Sequence, residues 1–161
     1  MFGAITVALT MAAATSTAAD LHQDEPAPLR VGLLLGEPTG VTLTAGLWRQ
    51  LGLQVEGGYS TNRDTDVVIA ADLLWSIPEL FGSVASPAKL TAWTGLGARV
   101  ALGFEQDTGH RAGLRVPFGI SYLAHGGTTE IFAQVAPSLS FSPDVRVAVG
   151  IGAGLRMALF D

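Results

Sequence analysis

The sequence predicts an all-β protein: an eight-stranded antiparallel up-and-down transmembrane β-barrel preceded by a signal peptide. Three observations lead to this prediction. The first residues form an uncharged apolar run, the rest of the chain alternates apolar and polar residues with the period of a β-strand, and turn sequences divide that part into eight segments. A chain of 161 residues is long enough for one such domain.

The composition excludes several classes of function. Charged residues make up 14% of the chain, whereas an average soluble domain has about 25%. Because the chain has no Cys, it has no disulfide scaffold, no thiolate metal site and no Cys nucleophile. A net charge of −5 and a pI near 5.0 argue against nucleic acid as a partner. Low charge and a mean hydropathy of +0.41 together favour a membrane protein.

Residues 1–19 predict a secretory signal peptide. The apolar run from Phe2 to Ala14 is shorter than the about 20 residues of a transmembrane helix, the alternative interpretation, and small residues precede Asp20. We therefore expect cleavage near Ala19. Residues 20–28 are polar and rich in Pro, which predicts a flexible lead-in, and the barrel is expected over residues 29–161.

Eight strands are predicted from the alternation between turn sequences. In chain order they are Leu29–Leu35, Val41–Trp48, Leu51–Tyr59, Asp66–Trp75, Trp93–Phe104, Gly113–Leu123, Glu130–Phe141 and Val145–Leu159. The last strand shows the pattern most clearly, because its odd positions are all apolar and its even positions are Gly, Ala or Arg. Pro117 and Pro137 fall inside strands, where Pro cannot donate to the ladder, so we expect β-bulges there.

The direction of the apolar face distinguishes two kinds of barrel. A soluble barrel of the lipocalin type would turn it inward, and a membrane barrel turns it outward. The polar face carries five Arg residues, and each would cost about 2–4 kcal/mol if it faced lipid at the bilayer midplane. The apolar face is therefore predicted to meet lipid. Gly residues on the polar face would leave room for Arg side chains in a narrow eight-stranded lumen.

The positions of the aromatic residues agree with this orientation. With the N-terminus in the periplasm, Tyr59, Phe104 and Phe141 end strands at the external interface. Trp75 and Tyr122 end strands at the periplasmic interface. Membrane barrels carry such aromatic girdles at both interfaces.

The inward charges are the candidate functional residues. We predict an interior ion-pair network made of Arg30, Glu56, Asp72, Arg99, Arg115, Glu130, Arg146 and Arg156. Two clusters are expected: Arg30, Glu130 and Arg156 near the periplasmic end, and Glu56, Asp72 and Arg99 nearer to mid-height. Arg suits this task because its planar fork bonds several acceptors at once. The network would plug the lumen; a conducting path or a binding site is the alternative.

Other candidate chemistry lies in the loops. His110 with Asp107 and Thr108 could form a catalytic site of a lipid-modifying enzyme, although loop polarity explains these residues equally well. Two acidic pairs, Asp64 with Asp66 and Glu105 with Asp107, do not make a complete calcium loop, so no metal site is predicted. No Gly-rich segment precedes a helix, and no cofactor is predicted.

Five short motifs carry a family resemblance. They are Pro38-Thr39-Gly40, Ala71–Trp75 (ADLLW), Arg115–Gly119 (RVPFG), Phe132–Pro137 (FAQVAP) and Gly150–Arg156 (GIGAGLR). In this order, they make nearly the whole mature chain resemble an uncharacterised bacterial family of small outer-membrane β-barrel proteins. The resemblance implies a location and a fold, and no activity.

The expected protein is a monomeric, exported component of the Gram-negative outer membrane. Its expected partners are outer-membrane lipid and, during biogenesis, the barrel-assembly machinery; the last strand looks like an assembly signal, although Phe160 is followed by Asp161. The predicted role is that of a non-enzymatic structural or surface protein. The alternatives are a lipid-modifying enzyme, a narrow channel and a soluble lipocalin-like binder of apolar ligands.

Overall fold

The computed structural model describes residues 28–48, 50–60, 66–77, 90–103, 110–124, 127–142 and 145–159. The predicted signal peptide, residues 20–27 of the lead-in, Phe104 and the C-terminal Phe160 lie outside the described residues. Within the described ranges, no helix is long and apolar enough to cross a membrane.

The described residues form nine β-strands, which alternate in direction along the chain except that β6 and β7 run the same way. In order they are β1 (Arg30–Gly36), β2 (Thr39–Gly46), β3 (Leu51–Ser60), β4 (Asp66–Ile77), β5 (Leu90–Gly103), β6 (Arg111–Arg115), β7 (Phe118–Ala124), β8 (Thr129–Ser142) and β9 (Arg146–Ala158). All pairs are antiparallel.

The sheet closes on itself and forms a barrel. Each strand from β1 to β4 pairs with the next, β6 and β7 both lie between β5 and β8, and β9 pairs with β8 and with β1. The closing pair runs from Arg30 opposite Ala158 to Gly36 opposite Gly152. The predicted all-β antiparallel up-and-down barrel is confirmed.

The sixth predicted strand is interrupted at Val116 and Pro117, which separate β6 from β7. The two parts keep one register against β5 and against β8, so no residue is inserted. Pro137 lies in an unbroken β8–β9 ladder. The bulges expected at Pro117 and Pro137 are therefore wrong: each Pro removes one ladder donor, and the sheet tolerates this without a shift. The register shift in β6 lies between Ala112 and Gly113.

The two ends of the barrel carry different connections. We call the end with the first residue of β1, the last residue of β9 and the β2–β3 connection the terminal rim. The other end, with the β1–β2, β3–β4 and β8–β9 connections, is the opposite rim. Exposed aromatic side chains lie at the terminal rim (Trp48, Trp75, Tyr122) and at the opposite rim (Tyr59, Phe141).

The apolar side chains point out of the barrel and the polar ones point in. Leu33 and Ile151 are 62% and 63% exposed, whereas Glu56, Asp72 and Arg156 are each 1% exposed. Among the described strand residues that face outward, none is charged. This arrangement is the reverse of a lipocalin-type interior, because the side that would have to hold an apolar ligand is filled with polar groups.

Candidate functional site in the barrel interior

Arg115 on β6 holds two acids in the interior. Its Nε and NH2 atoms donate to the two carboxylate oxygens of Asp72 at 2.7 and 2.6 Å, and NH2 lies 2.8 Å from Oε2 of Glu56. All three residues are buried. Bidentate Arg–carboxylate pairs are among the strongest polar contacts in proteins, and their geometry is specific. Because β3 and β6 are not neighbours in the ring, the contact with Glu56 crosses the lumen.

Gly97 explains why Arg115 reaches Asp72. Asp72 lies opposite Gly97 in the β4–β5 ladder, and Gly97 lies opposite Arg115 in the β5–β6 ladder. A Cβ atom at position 97 would overlap the Asp72 carboxylate. The missing side chain at this position therefore opens the path between the acid and the guanidinium, as predicted for inward glycines.

A third acid, Glu130 on β8, lies between two Arg side chains nearer to the terminal rim. NH1 of Arg156 is 3.5 Å from Oε1 of Glu130, and Nε of Arg30 is 4.0 Å from Oε2. The Arg156 guanidinium also lies 3.7 Å from the centroid of the Phe132 ring, a cation–π contact. Arg156 is thus held by a charge and by an aromatic face.

Two amide side chains extend this network, and one of them, Gln54, joins the two clusters. Gln54 donates from Nε2 to Oε1 of Glu56 at 2.7 Å, and its Oε1 accepts a 2.5 Å hydrogen bond from NH2 of Arg156. Gln134 donates from Nε2 to the same Glu56 oxygen at 2.5 Å. Neither amide was among the predicted site residues, because that prediction considered charges alone. Both occupy positions of the alternating pattern on β3 and β8 whose side chains face inward, and this position would have identified them.

The structure places the predicted site residues at three depths. Glu56, Asp72, Arg115, Glu130 and Arg156 are buried, Arg30 and Arg99 are partly exposed, and Arg146 is exposed. Arg146 is the first residue of β9 and is exposed at the opposite rim, and its membership of the interior network stays a prediction.

The mid-height acids have a different partner from the one predicted. The sequence predicts that Arg99 joins Glu56 and Asp72, but Arg115 takes that position. Arg99 instead donates from NH1 to Oγ of Ser138, 3.4 Å away. The register of β6 against β5 therefore brings the Arg115 guanidinium to the two acids. The pattern of charges along the sequence does not show this pairing.

Charge is balanced within this network. Arg30, Arg115 and Arg156 carry three positive charges, and Glu56, Asp72 and Glu130 carry three negative charges. Burial of an unpaired charge is very costly, so this balance is what allows six ionised groups inside one small barrel.

Thr42 places a hydroxyl group beside Arg156 in the described interior. The hydroxyl of Thr42 accepts hydrogen bonds from Arg156 at 3.3 and 3.2 Å and is bound by a cation, not by a base. In the part of the chain that the structure describes, no group of three or more His, Asp or Glu could hold a metal ion. His110 is exposed just before β6, and its suggested partners Asp107 and Thr108 lie outside the described residues, as do Asp64 and Glu105.

A solved structure shares this architecture. The crystal structure of the N-terminal β-barrel domain of Pseudomonas aeruginosa OprF matches with a TM-score of 0.57, over 81% of this chain and 98% of that domain. The sequence identity is 11%, so the likeness concerns the fold alone. No protein-family model and no curated protein matches the sequence. The family resemblance of the five motifs therefore remains a prediction.

Proposed function

We propose that the protein is a small outer-membrane β-barrel of the Gram-negative envelope with a plugged polar interior, acting as a non-enzymatic structural or surface protein. The distribution of charge carries this proposal: the described outward face is apolar and uncharged, whereas six charges pair inside. Such a surface suits hydrocarbon and is far larger than the apolar patches that soluble monomers expose. The exposed aromatic residues at both rims support the same location.

Contacts across the lumen support the plug. Arg115 contacts Glu56, Arg156 contacts Gln54 and Gln134 contacts Glu56, and each contact joins strands that are not neighbours in the ring. Side chains that hydrogen-bond directly across the interior occupy the space that water or ions would need. An eight-stranded barrel is just wide enough for such a filling, which disfavours the narrow-channel alternative.

Cell fractionation tests the location. When the full-length chain is expressed in a Gram-negative host, we expect it in the outer-membrane fraction. Its mobility in a detergent gel should change when the sample is boiled, because a closed barrel unfolds only on heating. Recovery from the soluble periplasmic fraction, with mobility independent of heating, would contradict the proposal.

Conductance in planar lipid bilayers tests the plug separately. We expect no steady single-channel steps above those of a protein-free detergent control, because the paired side chains close the lumen. Steps of constant amplitude would favour a narrow channel, while the outer-membrane location would be unaffected by that result.

A further inference from the structure

A recess of about 170 Å³ opens at the terminal rim of the barrel. Its lining includes the buried charges Glu130 and Arg156, the inward apolar side chains Leu74 and Trp93, and the exposed Trp48. The interior network therefore borders a cavity at this end. The volume is several times the about 30 Å³ that one water occupies in the liquid, so it can hold a small organic molecule.

Arg30 lines this recess, and not all of its N–H donors have an acceptor. Its Nε atom is buried and has no hydrogen-bond acceptor, since Oε2 of Glu130, at 4.0 Å, is too distant for a hydrogen bond. NH2 donates to the backbone oxygen of Gly127 at 3.2 Å. A guanidinium has five N–H donors in a planar fork, and a buried donor without an acceptor is costly. An anionic acceptor placed in the recess would satisfy further donors of this guanidinium.

The charges that line the recess favour an anion. Arg30 and Arg156 both contribute to the lining, and among its described residues Glu130 is the one acid. The described part of the lining therefore has a net positive charge. Leu74 and Trp93 are nearly buried apolar side chains beside these charges, and they offer a surface to the body of an organic ligand rather than to a bare ion.

We propose that the recess binds a small organic carboxylate at the terminal rim. The carboxylate accepts hydrogen bonds from the Arg30 guanidinium, and the body of the ligand packs against Trp93 and Leu74. This binding site is additional to the structural role proposed above and does not depend on it, since the recess borders the interior network without opening it.

Isothermal titration of the folded protein in detergent micelles with benzoate tests the proposal. Benzoate carries one carboxylate on one ring, and we expect saturable binding to a single site. Benzyl alcohol, which has the ring without the charge, should show no saturable binding. Inorganic phosphate, an anion without an apolar body, should bind at least tenfold more weakly.

Two matched variants locate the site. Arg30→Gln should weaken benzoate binding at least tenfold, because it removes the cation and the fork. Arg146→Gln removes an Arg at the opposite rim and should leave the affinity within twofold of the wild type. Heat-modifiable gel mobility of each variant distinguishes loss of binding from loss of the fold.

Three results would overturn the proposal. They are the absence of saturable benzoate binding by the wild type, unchanged affinity in a folded Arg30→Gln variant, and binding of phosphate as tight as that of benzoate. None of these results bears on the location of the barrel or on its conductance, which are measured separately.

Discussion

At the scale of single residues, the interior depends on which side chains are missing as much as on which are present. Arg115 meets Asp72 because Gly97, between them in the ladder, has no side chain. The sequence predicts that Glu56 and Asp72 face inward, because their positions share the parity of the polar face. It does not predict that Arg115 is their partner, because several Arg residues have that parity and local pattern cannot rank them.

Removal of Arg115 should strongly destabilise the barrel. Arg115→Ala leaves Glu56 and Asp72 buried together without their cation, and loss of one partner of a buried pair costs about 3–5 kcal/mol. Denaturant-induced unfolding in lipid vesicles measures the effect. The control, Arg146→Ala, changes an exposed residue and should alter the free energy of unfolding by less than about 0.5 kcal/mol. Equal effects of the two substitutions would contradict a structural role for the network.

At the scale of strands, a large side chain on β5 packs over a glycine on β7. Trp93 lies opposite Gly119, and both have inward parity. A Cβ atom at position 119 would overlap the Trp93 indole, which is 5% exposed. The interior is therefore not uniformly polar: Trp93 belongs to a buried apolar cluster with Leu34, Leu74 and Phe132. Strand parity predicts that Trp93 points inward, but not that Gly119 receives it.

Substitution of Gly119 tests this fit. Gly119→Ala should destabilise the barrel by about 1–3 kcal/mol, because a well-packed interior resists added volume. Gly57→Ala is the matched control, because no atom lies within 4 Å of a Cβ atom at that position. Unfolding of both variants in the same vesicles gives the comparison. If Trp93→Leu does not reduce the cost of Gly119→Ala in a double-mutant cycle, the explanation by overlap with the indole is wrong.

At the scale of the whole molecule, charge is separated from the outer surface. The sequence predicts this separation because a strand turns alternate side chains to opposite faces, and five Arg residues on one face decide which face can meet lipid. Neighbouring strands in the ring are mostly consecutive in the chain, and the pair of β1 with β9 closes the ring. The break at Pro117 changes hydrogen bonding locally and leaves the barrel closed.

A single charge on the outward face should show which solvent surrounds the barrel. Ile151→Arg in the middle of β9 should raise the free energy of the folded protein in lipid vesicles by about 2–4 kcal/mol. Val145→Arg, just before β9 at the opposite rim, should cost only about 0–1 kcal/mol because it lies near the interface. Reversible unfolding in vesicles measures both. No difference between the two positions would argue against a membrane-embedded outer face.

The sequence by itself determines the order of the strands, which residues of each strand face outward, and the direction of the apolar face. Each of these follows from a period of two residues and from the cost of charge in hydrocarbon. Only the tertiary structure decides that Arg115 rather than Arg99 neutralises the central acids, that Gln54 links the two clusters, and that Arg30 lines a recess at the terminal rim. The physical reason is that partners across a lumen are chosen by the stagger of strands around the ring and by side-chain reach, and neither is recorded in the local alternation of residues.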